Sequence, residues 1–196
     1  MVELFETICI EDGVAHHLEY HHDRLHRARY ELFGYTDTID IAKELRDIPT
    51  SGVYRAKLIY NVSILSLDYY PYTLRKIEQI SIVESDIDYN YKYLDRALLD
   101  SLLTEKSSSD EILLTRDGLL TDTTIANIAL RREDRWYTPA QPLLEGTTRA
   151  RLIDSGFLLP IDIEVSTIES YDGLALMNAM IGFEVLEKGI EGVLCH

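Results

Sequence analysis

The chain has 196 residues, of which 46% are hydrophobic and 27% charged, and its 34 acidic against 19 basic side chains give a formal charge of −15. That composition is an ordinary globular one, long enough to bury a core without staples, and it excludes a disordered chain. The acid excess disfavours nucleic acid and anionic membrane surfaces as partners, because both need clustered Lys and Arg, and the basic clusters here are pairs such as Arg75-Lys76 and Arg131-Arg132.

In chain order, Leu4 to Ile10 reads as a strand, Glu11-Asp12-Gly13 as a turn, and a second short strand closes a hairpin within the first 17 residues. Leu18, Leu25, Ala28 and Leu32 recur at near-helical spacing, which predicts a helix over Leu18 to Phe33 with Gly34 at its C′ position. A short helix is expected from Asp40 to Asp47, stopped by Pro49. Strands are expected at 53–60, 64–70 and 76–84, with a bend at Pro71 and Tyr72. The irregular stretch 85–91 is taken as a linker between a smaller N-terminal lobe, 1–84, and a C-terminal lobe, 92–196. A helix follows from Tyr93 to Glu105, ended by Ser107-Ser108-Ser109-Asp110.

The second half opens with a hairpin, Ile112 to Thr115 against Leu119 to Thr121 across Arg116-Asp117-Gly118. Further strands are expected at 125–130 and 136–138 around Glu133-Asp134, then a loop framed by Pro139 and Pro142. Thr147 to Ser155 reads as a helix followed by Gly156, and the last strands fall at 160–166, 174–180 and 183–186. Hairpins mixed with isolated helices imply α+β packing rather than a βαβ series. Two cysteines, Cys9 and Cys195, make no disulfide framework. The start has no basic n-region of a signal peptide, and the longest late apolar run, Gly173 to Phe183, falls short of the roughly 20 residues a membrane span needs. The expected location is a reducing cytoplasm.

Several residues carry possible chemistry. Five of the six histidines lie between His16 and His26, with His17/His21 and His22/His26 at i,i+4. Zinc is conceivable there, but no cysteine or carboxylate completes a familiar ligand spacing, and solvated helix positions explain them better. No metal is expected. Of six lysines, Lys92 stands apart: it lies among Tyr89, Tyr91 and Tyr93 and opens a predicted helix. A helix N-terminus and partial burial both favour the neutral amine, as a Schiff-base lysine requires. Gly146-Thr147-Thr148 before a helix can hold a phosphate or be a simple N-cap. Asp122 is, by itself, an ordinary turn carboxylate. Arg55, Tyr69, Tyr70 and Tyr72 could line a pocket, although strand-surface and core positions account for them better.

Order and spacing join these pieces. Phe5-Glu6-Thr7, Asp12-Gly13, His21-x-x-Arg24-Leu25, Lys92-Tyr93-Leu94-Asp95-Arg96, Asp110-Glu111, Asp117-Gly118, Thr121-Asp122 through Asn127, Thr138-Pro139, Leu144-Glu145-Gly146-Thr147-Thr148-Arg149 and Met177-Asn178-Ala179-Met180 follow one another along nearly the whole chain. In this order they resemble the class IV aminotransferase family, the fold-type-IV enzymes that use pyridoxal 5′-phosphate (PLP).

The resemblance implies a two-lobe α/β architecture similar to D-amino-acid aminotransferase, with PLP between the lobes, and a homodimer. It implies that Lys92 binds PLP covalently and then moves protons at the substrate carbon. Arg24, Thr147, Thr148 and Asn178 would hold the phosphate. Asp122 would pair with the pyridine nitrogen, where the family has glutamate. That carboxylate is one methylene shorter. A second departure is the start, which lacks the family's leading strand, and the length marks a trimmed member.

Three activities follow by resemblance. Lys92-Tyr93-Leu94-Asp95-Arg96 and Asn178-Ala179-Met180 are closest to 4-amino-4-deoxychorismate lyase, which releases pyruvate and yields the folate precursor 4-aminobenzoate. The alternatives are a transaminase of branched-chain or D-amino acids and a PLP-binding protein with little activity. Each takes a small-molecule amino substrate or its analogue.

Overall fold

The computed structural model describes residues 1–106 and 109–194. The chain forms two compact units. Met1–Leu74 and Tyr91–Asp95 make the first; Arg75–Asn90 and everything from Arg96 onward make the second. This division differs from the expected lobes 1–84 and 92–196 around a linker at 85–91. The reason is hydrogen bonding. The strand at Ile80–Glu84 pairs in parallel with Glu111–Thr115, so it belongs to the second unit. The segment around Lys92 lies along the first strand, where Phe5 N–H donates to Lys92 O at 3.0 Å and Leu94 N–H to Glu3 O at 2.9 Å.

The first unit contains β1 (Leu4–Glu11), β2 (Val14–Ala15), α1 (Leu18–Phe33), α2 (Ile41–Glu44), β3 (Val53–Tyr60) and β4 (Ile64–Pro71). Its strands form an antiparallel sheet in the order β2-β1-β3-β4. Alternation along β1 buries Leu4, Glu6, Ile8 and Ile10 and leaves Phe5, Thr7 and Cys9 half-buried on the opposite face. The buried apolar side chains cluster with Leu25 and Ala28 of α1 and with Ala56, Leu58 and Tyr60 of β3. Each buried Leu or Ile contributes about 1.5–3 kcal/mol. Gly34 ends α1 at φ 73°, a left-handed turn that glycine takes without steric cost.

The second unit holds β5 (Ile80–Glu84), α3 (Ala97–Glu105), β6 (Glu111–Arg116), β7 (Leu119–Thr123), β8 (Asn127–Arg132), β9 (Arg135–Pro139), α4 (Thr147–Asp154), β10 (Leu158–Ile161), β11 (Gly173–Asn178), β12 (Gly182–Val185) and β13 (Val193–Leu194). Two 3-10 turns, Val165–Ser170 and Gly189–Gly192, lie between the later strands. β8 is the hub, pairing with β7, β9 and β11. Its core gathers Leu113, Leu120, Ile128, Leu130, Leu174 and Leu176.

Most expected elements are present, with shifted ends. The helix expected from Tyr93 begins only at Ala97, because Tyr93 bridges to Leu4 instead. Lys92 therefore does not open a helix. The helix expected at 40–47 is the short α2. The strand expected at 160–166 ends at Ile161 and gives way to a 3-10 turn. Residues 76–79 precede β5 rather than join it, and β11 stops at Asn178. Ser107, Ser108, Cys195 and His196 lie outside the described residues. Among the described residues, no helix is long and apolar enough to cross a membrane.

Candidate active site

In the first unit, β1 and α1 bring a buried charged cluster together. Glu6 sits on the core face of β1 and is fully buried; His21 and Arg24 reach it from α1, three residues apart on one helix face. Arg24 Nε donates to Glu6 Oε1 at 2.9 Å and Arg24 Nη2 donates to Oε2. His21 Nδ1 lies 2.6 Å from the same Oε2. Burial pushes the Glu6 carboxyl up, but Arg24 and His21 together outweigh it and hold it at about 2. Glu6 is therefore ionised and can only accept, which places a hydrogen on His21 Nδ1. Burial lowers the His21 pKa, reinforced by the positive charges of Arg24 and Lys92 and opposed by Glu6. The ring is thus neutral near pH 7.

Lys92 stands on the other side of β1. Its Nζ lies 4.6 Å from the centre of the Phe5 ring, on the face opposite Glu6. Its backbone is fixed by the Phe5–Lys92 hydrogen bond, so its position follows from pairing with β1 and owes nothing to a helix dipole.

In the second unit, the end of β7 carries Asp122, which is buried and pairs in register with Asn127 of β8. Asp122 Oδ1 accepts from Asn127 Nδ2 at 2.7 Å, and Oδ2 accepts from Leu144 N–H at 2.8 Å. Burial dominates these neutral donors and raises its pKa to about 7. Asn127 Nδ2 also donates to Leu144 O at 2.7 Å, tying the turn to the loop that enters α4. That loop must pass close by. A Cβ at Gly146 would lie 1.9 Å from Asn127 Oδ1, so any larger residue must displace the Asn127 amide.

Thr147 and Thr148 open α4 and are buried. The helix has no side-chain N-cap. The first N–H groups of any helix lack acceptors inside it and carry partial positive charge, so this end can receive an anion. In the same turn the Arg149 Nε is buried without a hydrogen-bond partner, while Nη2 donates to Pro139 O at 2.8 Å.

The connection beyond Asp122 is held from several sides. Glu111 Oε1 accepts from the Thr124 hydroxyl at 2.6 Å, and Arg96 Nη2 donates to Thr124 O at 2.8 Å. Asn178 Nδ2 donates to Ile125 O at 3.1 Å, and its Oδ1 accepts from Met180 N–H and Ile181 N–H. The Asn178 oxygen and one of its two amide N–H groups thus shape its own loop and the 125 turn.

Within units, then, Arg24 and His21 meet at Glu6 while Lys92 lies over Phe5 on the opposite face of β1, and Asp122 is linked through Asn127 and Leu144 to the loop before Thr147. The functional roles of Glu6, His21 and Asn127 were not legible. All three stand inside the motifs quoted above, but only pairing across β1–α1 and β7–β8 shows what they hold. His22 and His26 have partners in the segment that leads into α2. His22 Nε2 accepts from Ile41 N–H at 2.7 Å, His26 Nε2 donates to Ile39 O at 3.1 Å, and His17 precedes α1 at φ 55°. Arg55 stacks on Tyr70, and the Tyr69 hydroxyl donates to Arg46 O at 2.8 Å.

Residues 89–185 match the model of the amino-transferase class IV family. An uncharacterized protein of Haemophilus influenzae is 34% identical over 189 residues, 93% of this chain and all of that protein. A crystal structure from Haemophilus somnus, provisionally named a 4-amino-4-deoxychorismate lyase, is 34% identical with a TM-score of 0.85, covering 93% of this chain and 98% of that one. A hypothetical aminotransferase of Mycobacterium tuberculosis in its PLP-bound form shares the fold at TM-score 0.77 and 16% identity, over 94% of this chain and 80% of that one. The chain belongs to the class IV aminotransferase family and has the fold-type-IV architecture of PLP-dependent enzymes. A provisionally named aminodeoxychorismate lyase of Schizosaccharomyces pombe is 29% identical over 139 residues, 66% of this chain and 59% of that protein.

Proposed function

We propose that the protein is a PLP-dependent lyase acting on 4-amino-4-deoxychorismate, releasing pyruvate and yielding 4-aminobenzoate. The observation that carries PLP use is the second unit's pairing of a buried carboxyl, Asp122, with an uncapped helix N-terminus behind a glycine packed against the Asn127 amide. The 34% identity to a provisionally named lyase over nearly both chains favours the lyase over a transaminase.

PLP, when bound, supplies an electron sink for a carbanion formed beside the substrate amine. The residues present fit it. In the second unit, the N–H groups of Thr147 and Thr148 with the Thr148 hydroxyl take the phosphate, and the unpartnered Arg149 Nε adds positive charge at the same helix turn. Asp122 would pair with the pyridine nitrogen and keep a proton there. Its two bonds from Asn127 and Leu144 aim the shorter side chain. Asn178 shapes the neighbouring loop through its oxygen and one amide N–H, and its second N–H can support the phosphate.

In the first unit, Lys92 is the covalent attachment point and the base that takes the proton from the amine-bearing carbon. Arg24 supports the phosphate while Glu6 holds its guanidinium. Loss of that proton and departure of pyruvate as its enol leave the aromatic amine. No 2-oxo acid is consumed.

The test has two parts. Purified protein is expected to show a visible PLP band that borohydride fixes to Lys92 and that Lys92→Ala lacks. Incubated with 4-amino-4-deoxychorismate and no added 2-oxo acid, it is expected to release pyruvate. Dependence on an added 2-oxo acid would assign a transaminase, and a cofactor band without turnover of either substrate class would assign a binding protein.

A further inference from the structure

The half-buried face of the first sheet concentrates positive charge in a chain otherwise rich in acid. β1 places Phe5, Thr7 and Cys9 there, opposite Ile59, Lys57 and Arg55 of β3. Several basic groups elsewhere meet carboxylates. Lys43 pairs with Asp40, Lys76 and Lys188 with Glu78, and Arg131 with Asp172. Lys57 is different. Among the described residues, no carboxylate oxygen lies within 4.0 Å of its ammonium.

The reason is a choice of direction. Asp68 of β4 stands directly across from Lys57 in register, the place where a cross-strand ion pair would form. The Lys57 ammonium turns the other way, over the Phe5 ring of β1, with Nζ 5.5 Å from its centre. Lys92 Nζ lies over the same ring at 4.6 Å. The two ammonium groups are therefore no farther apart than those two distances laid end to end. When both are charged they repel, and an anion placed beside both relieves that repulsion. Arg55, two residues back on the same face, stacks on Tyr70 at 5.3 Å and extends the positive potential along β3. The neutral groups on this face are the Thr7 hydroxyl and the Cys9 thiol, which burial keeps protonated. Two acids share the face, Asp68 at its far edge and Glu11 at the end of β1, next to Cys9.

The geometry points to Lys57 as a specificity residue that binds a carboxylate of the substrate on which Lys92 acts, so that the substrate class is an amino compound with two carboxylates. This rests on the reading of Lys92 as the reacting lysine. Lys57 touches neither the bond broken nor the proton moved. Its contribution is binding that is equal in ground and transition states, so its loss raises KM with little change in kcat. An exposed charge pair of this kind also weakens with salt.

The experiment is isothermal titration of the full-length protein as purified with isophthalate, an aromatic dicarboxylate, and with benzoate. Wild type is expected to bind isophthalate about tenfold more tightly than benzoate. Lys57→Gln is expected to bring the two within about twofold, while Lys57→Arg keeps the preference. Lys43→Gln, which removes a cation on α2, is expected to keep it as well. Circular dichroism checks folding, and Lys57→Met, which retains the apolar stem over Phe5, replaces the glutamine variant if that does not fold. An unchanged preference in the Lys57 variants overturns the proposal, as does a loss in Lys43→Gln, which would mark a general charge effect. The reading of Lys92 fails by a separate sign, the absence of borohydride-fixed PLP at that residue. The dicarboxylate preference is scored on titration alone.

Discussion

The two units each bury one acid, and the two acids behave oppositely. Glu6 and Asp122 are both removed from water, and burial alone raises the pKa of each. Glu6 nevertheless falls to about 2, because the Arg24 guanidinium and the His21 ring sit directly on it. Asp122 rises to about 7, because burial outweighs the Asn127 amide, the backbone N–H groups and the charge of Arg149 at longer range. The lesson is that position in the core does not set the protonation state; the nearest charge does. The first unit keeps a permanent anion that fixes a cation. The second keeps a carboxyl poised near neutrality, suited to holding a proton against a ring nitrogen.

The largest expected effect comes from breaking the first of these. Glu6→Gln leaves Arg24 buried without its anion and is expected to cost about 3–5 kcal/mol, read by urea denaturation. The same pair fixes an acid limb. The folded Glu6 pKa lies below its ordinary 4.5, so its contribution is full above about pH 4.5 and is lost as pH falls toward about 2. In Glu6→Gln that limb is expected to flatten.

Asp122 has the opposite sign. Its folded pKa is above the ordinary 3.8, so the native state holds a proton that the unfolded chain releases. Stability therefore falls as pH rises from about 4 to about 7. In cofactor-free protein, Asp122→Asn is expected to remove that fall, so the difference between wild type and variant shrinks at low pH and changes steadily across this window. Equal pH profiles for the two proteins would remove the contrast between the acids.

A smaller effect is expected at the turn that aims Asp122. Gly146→Ala drives a Cβ into the Asn127 side chain and is expected to cost about 1–3 kcal/mol, seen as a lower melting temperature. It should also weaken PLP binding, measured by titrating the visible band. The smallest is Lys43→Gln. Its pair with Asp40 is solvent-exposed, so stability should move by less than about 0.5 kcal/mol.

Local order was readable where one period or one turn chemistry decided it. The α1 stripe and Gly34, the hairpins at Asp12-Gly13 and Asp117-Gly118, and the Thr147 helix start all stand within a residue or two of expectation. The failures lie where a distant strand outcompeted local preference. Leu-rich periodicity argued for a helix from Tyr93, yet the hydrogen bonds of Lys92 and Leu94 to the first strand hold that segment extended until Ala97. The lobe boundary was missed for the same reason, since β5 joins a partner some thirty residues later in the chain.

By itself, then, the sequence determined the family, the order of elements and the identity of Lys92, Arg24, Asp122, Thr147 and Thr148 as candidates, because those depend on residue type at fixed spacing. Tertiary structure decided what each one touches. Only folding sets Glu6 against Arg24, turns Lys57 away from Asp68 toward Phe5, ties Asn178 to its loop, and gives Asp122 neutral hydrogen-bond partners. Charge and hydrogen-bond strength depend on distance and burial in three dimensions, and neither is written in spacing along the chain.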